Sequence, residues 1–366
     1  MQSNVSNYTE LNDAGNQIHL LRLLPAKDMA PPISVELYVS DMEGEDPQYE
    51  ALSYCWGTDM STNTLNVGTA GAERTFKLSL TSNLDSALRH LRRSDRPRTL
   101  WIDSVCINQG SIEERNQQVQ LMDRVYLGAE RIVIWLGVAE NDSDHLFELL
   151  EQNIFEQIQG TELPRYRQAT FELCSRPWFQ RVWVVQETAL AQRDPEVVCG
   201  SKRTLWSTLM LFLEMVNQIV SAVVAEVPSI DAVDGSTLPS STNGRMGQGD
   251  RELLRVVDHA LFLRDVRVST AEKIEESWGA AGPGDYRANM ESLPINMHRL
   301  RFSQATTRDK IHGFMGISAY PQPAVDYARE TGELFLEAMM MMLRFNFQHS
   351  FQAFPLRLPA DGRPPN

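Results

Sequence analysis

Leu100-Trp101-Ile102-Asp103-Ser104-Val105-Cys106-Ile107-Asn108-Gln109 is the stretch that decides the fold. An apolar run ends abruptly in a carboxylate, and a short polar turn leads on into a helix. That order of residue types belongs to a buried strand delivering functional groups at its carboxyl end. In open α/β sheets, ligands bind in the crevice outside those ends. The stretch therefore predicts an α/β fold, and what else arrives at the same edge decides the chemistry.

Downstream, Ser111-Ile112-Glu113-Glu114 has the form of a capping box, in which Ser111 accepts from the third helical amide while Glu114 reaches back. Ile112, Val119, Met122 and Tyr126 continue one helical stripe, which Gly128 closes. Ile132-Val133-Ile134-Trp135-Leu136 is apolar on both faces, as inside a parallel sheet covered by helices. Strand, helix and strand together predict a right-handed crossover unit. Upstream, Tyr49-Glu50-Ala51-Leu52-Ser53-Tyr54 is a short strand that runs into Cys55, Trp56 and Gly57. Residues 17–23 and 33–40 form a two-stranded opening elaboration, and 64–67 with 74–78 a hairpin. Residues 82–93 are a helix with Leu84, Ala87, Leu88 and Leu91 on one face.

Asp142 or Ser143 starts a further helix, and Pro164 and Pro177 bracket another. Arg176-Pro177-Trp178-Phe179-Gln180-Arg181-Val182-Trp183-Val184-Val185-Gln186-Glu187 follows. Read as a helix, its end places Trp183 and Glu187 at i and i+4 on one face. Residues 197–200 complete the sheet. The apolar segment 205–227 contains Glu214, Asn217 and Gln218, which favours a buried helix over a membrane span. Residues 226–250 read as a flexible linker rich in Ser, Gly, Asp and Thr. A mainly helical region over 251–345, with helices at 252–264 and from Thr306, and a tail over 346–366 finish the chain.

The formal charge of −14 and the pI near 5.0 exclude nucleic acid and anionic membrane as main partners. The densest basic group, Arg89, Arg92, Arg93, Arg96 and Arg98, reads as a solvated helix face and loop. Cys55, Cys106, Cys174 and Cys199 are widely spaced, without a C-x-x-C pair or a cysteine-histidine cluster, so no metal site is expected. Reduced thiols and a polar start point to a cytoplasmic protein. No G-x-G-x-x-G is present, so a dehydrogenase-type dinucleotide site is not indicated and no cofactor is expected.

The blocks 49–57, 100–109, Glu114-Arg115 with Gln118-Val119, 133–137 and 181–187, in that order, closely resemble the fungal heterokaryon incompatibility (HET) domain. A later Arg308-Asp309-Lys310 block with Phe314, Met315 and Gly316 resembles a segment that often follows it. The resemblance sets the domain at 17–225, with its core motifs at 49–200. It implies an effector of fungal allorecognition and programmed cell death. HET domains are also remotely similar to Toll/interleukin-1 receptor (TIR) domains, which implies a flavodoxin-like parallel sheet with flanking helices. In that comparison Trp183 and Glu187 look like the TIR tryptophan-glutamate pair, and some members of that wider group cleave NAD with the glutamate.

Cleaving the nicotinamide-ribose bond needs little acid catalysis, because nicotinamide leaves as a neutral base. One fixed carboxylate that stabilises the oxocarbenium-like sugar is enough. The expected site has Glu187 as the catalytic carboxylate and Trp183 shaping the pocket. Tyr54 or Trp56 offers a stacking face, Gly57 a close backbone approach, and Asp103 and Asn108 polar groups for ribose or phosphate. The competing structural reading pairs Glu187 with Arg181 or another arginine and uses Asp103 as a cap. Two other functions stand beside NAD cleavage. One is a non-catalytic module that associates with itself or with an incompatibility partner. The other is a cysteine hydrolase using Cys106 with His90, His145 or His312.

Overall fold

The computed structural model describes residues 8–30, 32–44, 48–69, 75–152, 161–225 and 248–281, with scattered positions between 309 and 340. The strands are β1 (Gln17–Leu23), β2 (Ser34–Asp41), β3 (Glu50–Tyr54), β4 (Met60–Thr69), β5 (Thr75–Thr81), β6 (Arg98–Trp101), β7 (Arg131–Trp135), β8 (Glu196–Cys199) and β9 (Lys202–Leu205). Among the described residues they form one nine-stranded sheet in the order β5-β4-β2-β1-β6-β3-β7-β8-β9. Four central strands, β6-β3-β7-β8, run parallel. The expectation of a parallel sheet therefore holds for this block and for the β2–β4 pair, and the other pairings are antiparallel. β1 enters antiparallel beside β6, β2 pairs antiparallel with β1, and the β4–β5 and β8–β9 hairpins close the two edges.

The parallel block buries its apolar side chains almost completely. Ala51, Leu52 and Tyr54 of β3 and Ile132, Val133, Ile134 and Trp135 of β7 are all at 2 % exposure or less. Each large aliphatic side chain so buried contributes about 1.5–3 kcal/mol. Seven connecting helices are α1 (Ser82–Leu91), α2 (Asp103–Cys106), α3 (Ile112–Gln120), α4 (Met122–Gly128), α5 (Ser143–Gln152), α6 (Leu163–Cys174) and α7 (Trp183–Ala189). A 3-10 turn, Pro177–Gln180, joins α6 to α7. Two longer helices follow, α8 (Trp206–Ala225) and α9 (Gln248–Ala281).

Several boundaries differ from those expected. The stripe from Ile112 to Gly128 is two helices, broken at Leu121, whose amide bonds to the Gln118 carbonyl. Glu114 does not close a capping box on Ser111. Its Oε1 accepts from the Asn108 amide at 3.0 Å, while Ser111 Oγ accepts from the Glu114 amide at 3.2 Å. The arginine run is a solvated face only in part: Arg96 is exposed, but the others are committed. Arg98 is 3 % exposed and bonded to Glu50 and Glu196 at the amino ends of β3 and β8, and Arg89 and Arg92 tie backbone carbonyls near Met29.

α8 buries Trp206, Leu209, Phe212, Leu213 and Val216, and no helix of the described residues is long and apolar enough to cross a membrane. The helix expected at 252–264 is 34 residues long and begins inside the expected linker. The rest of that linker, most of the region after 281 and the tail lie outside the described residues. α9 packs against α6, α7 and α8.

In chain order the parallel strands run β3, β6, β7, β8, but in space β6 lies on one side of β3 and β7 on the other. The chain reverses direction across β3. The carboxyl ends of β3 and β7 therefore flank a topological switch point, the position where open α/β sheets place ligands.

Candidate functional site

The residues that meet at this edge are joined through one cation. Arg181 follows the 3-10 turn, and its guanidinium donates to the Tyr54 carbonyl at the end of β3, at 2.5 Å. The same Nη1 lies 3.5 Å from Glu187 Oε1. Glu187 is 1 % exposed, and its other oxygen accepts from the Ser53 hydroxyl. Ser53 in turn accepts from the Trp178 indole N–H at 2.8 Å. β3, the 3-10 turn and α7 are thus laced together at the sheet edge.

Asp103 supplies the second carboxylate, from the first residue of the single-turn α2. Its Oδ1 accepts from the Ser104 amide at 2.6 Å, and its Oδ2 accepts from the Trp56 indole N–H at 2.8 Å. Trp56 is 41 % exposed and covers this carboxylate. Gly57 follows at φ +74°, a backbone conformation that favours glycine. The Cys55 carbonyl accepts from Asn83 Nδ2, whose Oδ1 accepts from the Trp135 indole N–H at 2.8 Å, so the loop after β3 is anchored to β7.

Burial raises the pKa of Glu187 above its ordinary value. Arg181 and the Ser53 hydrogen bond oppose the rise, and Asp103 adds to it. Asp103 is raised for the same first reason, with Arg181, Trp56 and the Ser104 amide opposing. Burial would lower Arg181, but Glu187 and Asp103 together hold it above its usual range. The arrangement is a largely buried guanidinium ion-paired with Glu187, with Asp103 acting on it through its charge, and burial favours the protonated form of both carboxyl groups. It can position a carboxylate, and it can hold a proton beside a developing positive charge.

The expected site residues divide. Glu187, Asp103, Trp56 and Gly57 come to one edge. Tyr54 comes there too, but it is 2 % exposed and its hydroxyl pairs with Ser104 Oγ at 2.5 Å, so it offers no stacking face. Asn108 is committed to the turn: its Oδ1 accepts from Gly110 and its amide binds Glu114. Trp183 shares the spacing of Glu187 but not its surroundings. It is half-buried, a Cβ added at Gly313 would sit 3.7 Å from its ring, and its indole makes no hydrogen bond among the described residues.

The ion pair with Arg181 that the structural reading expected is present. Ser53 and Trp178 were not anticipated. A serine inside a fully buried strand must find a partner, and that is the signal that marks Ser53.

Cys106 does not behave as a nucleophile. Its sulfur accepts from the Ile102 amide, and burial pushes the thiol up to about 12. His90 bonds to the Ser86 carbonyl and lies against Trp135, His145 faces Glu148 at the surface, and His312 adjoins Gly313, which lies against Val182. Among the described residues Asp142, Asp144 and His145 could share an ion, but Asp142 is already paired with Arg165 at 2.6 Å.

The family model of the heterokaryon incompatibility protein (HET) family matches residues 49–187. Over 235 residues the chain is 31 % identical to heterokaryon incompatibility protein 6, OR allele, of Neurospora crassa. That match covers 52 % of this chain and 34 % of the relative, so the chain spans about a third of the length of the curated relative it matches. No solved structure matches. Every residue of the Arg181 network lies within 49–187, the span over which this chain is similar to the HET family.

Proposed function

We propose that this protein acts in fungal heterokaryon incompatibility as a cytoplasmic cell death effector, and that the Arg181 network is the part of the domain on which that action depends. The observation that carries the reading is the coincidence of the HET match, residues 49–187, with the assembly that joins Ser53, Tyr54, Arg181 and Glu187. The parallel order β6-β3-β7-β8 supports the finer comparison with TIR domains, because a flavodoxin-like sheet begins in the same way, with its second strand outside its first and its third on the other side.

NAD cleavage is the enzymatic form of this proposal. It is favoured by the meeting of Glu187 and Asp103 near one cation at the strand ends, with the exposed ring of Trp56 beside them. At 1 % exposure Glu187 reaches a ribose only after Arg181 swings off the Tyr54 carbonyl. The non-catalytic form has the strand-end loops contact further copies of the chain or an incompatibility partner.

One experiment separates the two forms. The chain and its Glu187→Gln variant, matched for folding, are expressed in a fungal host, and NAD and viability are followed together. The enzymatic form expects NAD to fall before death with the wild type and to be retained with the variant. Death at constant NAD, with assembly visible by light scattering, leaves the non-catalytic form.

A further inference from the structure

A cavity of about 1000 Å³ opens between α6, α8, α9 and the Pro177–Gln180 turn. None of Tyr54, Trp56, Asp103, Trp183 or Glu187 lines it. Its apolar wall is aromatic: Phe171 of α6, Phe179 of the turn and Phe262 of α9. Its cationic part is Arg251 and Arg255, one turn apart on α9 and both exposed. Among the described residues neither arginine makes a hydrogen bond or an ion pair. Arg264, farther along the same helix, is tied to Glu214 and Asp265, and Arg167 of α6 to Asp250. In a chain with a net charge of −14, two uncommitted guanidinium groups at the mouth of an aromatic cavity require a reason.

The carboxylates of the cavity do not supply one. Asp258 accepts from Asn217, Glu214 is held by Arg264 and Gln218, and Asp265 by Arg264. Asp265 is ten residues beyond Arg255 on α9, about 15 Å along the axis. Glu214 and Asp265 are thus neutralised by Arg264, while Asp258, three residues beyond Arg255, accepts from the neutral Asn217 amide and leaves both Arg251 and Arg255 uncommitted. Its floor is fixed as well, since His259 Nε2 donates to the Phe179 carbonyl at 2.7 Å and burial lowers the pKa of that imidazole, keeping it neutral.

We propose that this cavity binds a small soluble organic anion. Its carboxylate or phosphate lies between Arg251 and Arg255, whose planar donors suit both groups, and its aromatic or branched apolar body lies against Phe171, Phe179 and Phe262. The volume fits, since sites for molecules of this size span about 300–1,000 Å³ and combine an apolar lining with a few placed polar groups. The bound molecule touches Phe179 and Gln180, directly before Arg181, and so borders the segment that carries the cation of the strand-end site.

The test is a fluorescence titration of the full chain with 1-anilinonaphthalene-8-sulfonate, an aromatic anion, and with N-phenyl-1-naphthylamine, its uncharged counterpart. Saturable one-to-one binding of the sulfonate is expected, weakened about tenfold or more by Arg251→Ala/Arg255→Ala and about tenfold or more for the uncharged probe. Both substitutions are at exposed positions, and an unchanged unfolding midpoint and circular dichroism verify the fold of the double variant. Absence of saturable binding, equal binding by the double variant, or equal affinity for the two probes each overturns the proposal.

Discussion

Arg181 is the residue whose loss changes most at this edge. Its side chain is 13 % exposed, and it faces Glu187, Asp103 and the Tyr54 carbonyl at once. Replacing it by methionine keeps the apolar stem but leaves two buried carboxyl groups without a cation, a change that costs about 3–5 kcal/mol in comparable sites. Urea unfolding of Arg181→Met is expected to show a loss of that size. The double variant Arg181→Met/Glu187→Gln recovers part of it, because the amide can still accept from Ser53; equal losses in the two variants would remove Glu187 as the partner that matters. Glu187 also sets a pH dependence. Its pKa is raised in the folded state, so the folded protein holds this proton more tightly than the unfolded chain. The resulting stability is fully present below the unfolded pKa, near 4.5, and is lost as pH rises through the folded value. Relative to Glu187→Gln, the wild type is therefore expected to lose stability as pH rises above about 4.5. A difference between the two proteins that stays flat over that range contradicts the assignment.

At the scale of elements, α7 is short, seven residues, and its hold on the site depends on a partner from outside the strand-end network. Arg267 of α9 donates to the Thr188, Ala191 and Arg193 carbonyls, satisfying the carboxyl end of α7 where orphan carbonyls gather. Arg267→Ala is expected to cost about 2 kcal/mol or more and to speed amide exchange in α7 before the sheet; uniform exchange throughout the domain would show that α9 does not clamp this helix in particular. Such a contact is not legible in sequence, since it joins positions far apart and Arg267 lies beyond the apparent end of the helix at Arg264. Elements with a strong period were legible: β1, β2, the β4–β5 hairpin, α1 and β7 all fall where alternation or helical spacing put them. β9, Lys-Arg-Thr-Leu, was not, because an edge strand half open to solvent carries no apolar alternation. At the site, the pairing of Glu187 with Arg181 was readable from their closeness in sequence. The commitment of Asn108 and Tyr54 to hydrogen bonds of their own was not, because Glu114 turns back to the Asn108 amide instead of capping its own helix and Ser104 meets Tyr54 from another element.

For the whole molecule, the relation between the matched span and α9 is the point on which function turns. Residues 49–187 contain the network, yet α7, its last element, is covered by a helix that begins at Gln248. On α9, Leu253, Val257, Leu261, Leu263 and Val266 are all at 5 % exposure or less. At about 1.5–3 kcal/mol each, their burial contributes on the order of 7–15 kcal/mol as an upper figure, as much as the entire stability of an ordinary domain. A chain that stops after residue 225 uncovers the faces of α7 and α8 that these side chains bury. It is expected to aggregate or to unfold without a cooperative transition, while a chain extended to residue 281 unfolds as one unit. Urea titrations followed by circular dichroism on the two proteins distinguish the cases. A sharp transition at the same midpoint in the shorter chain would mean that α9 sits on a finished domain. The expected result makes α9 part of the structure that keeps Glu187 closed, so that any agent able to loosen α9 has access to the Arg181 network.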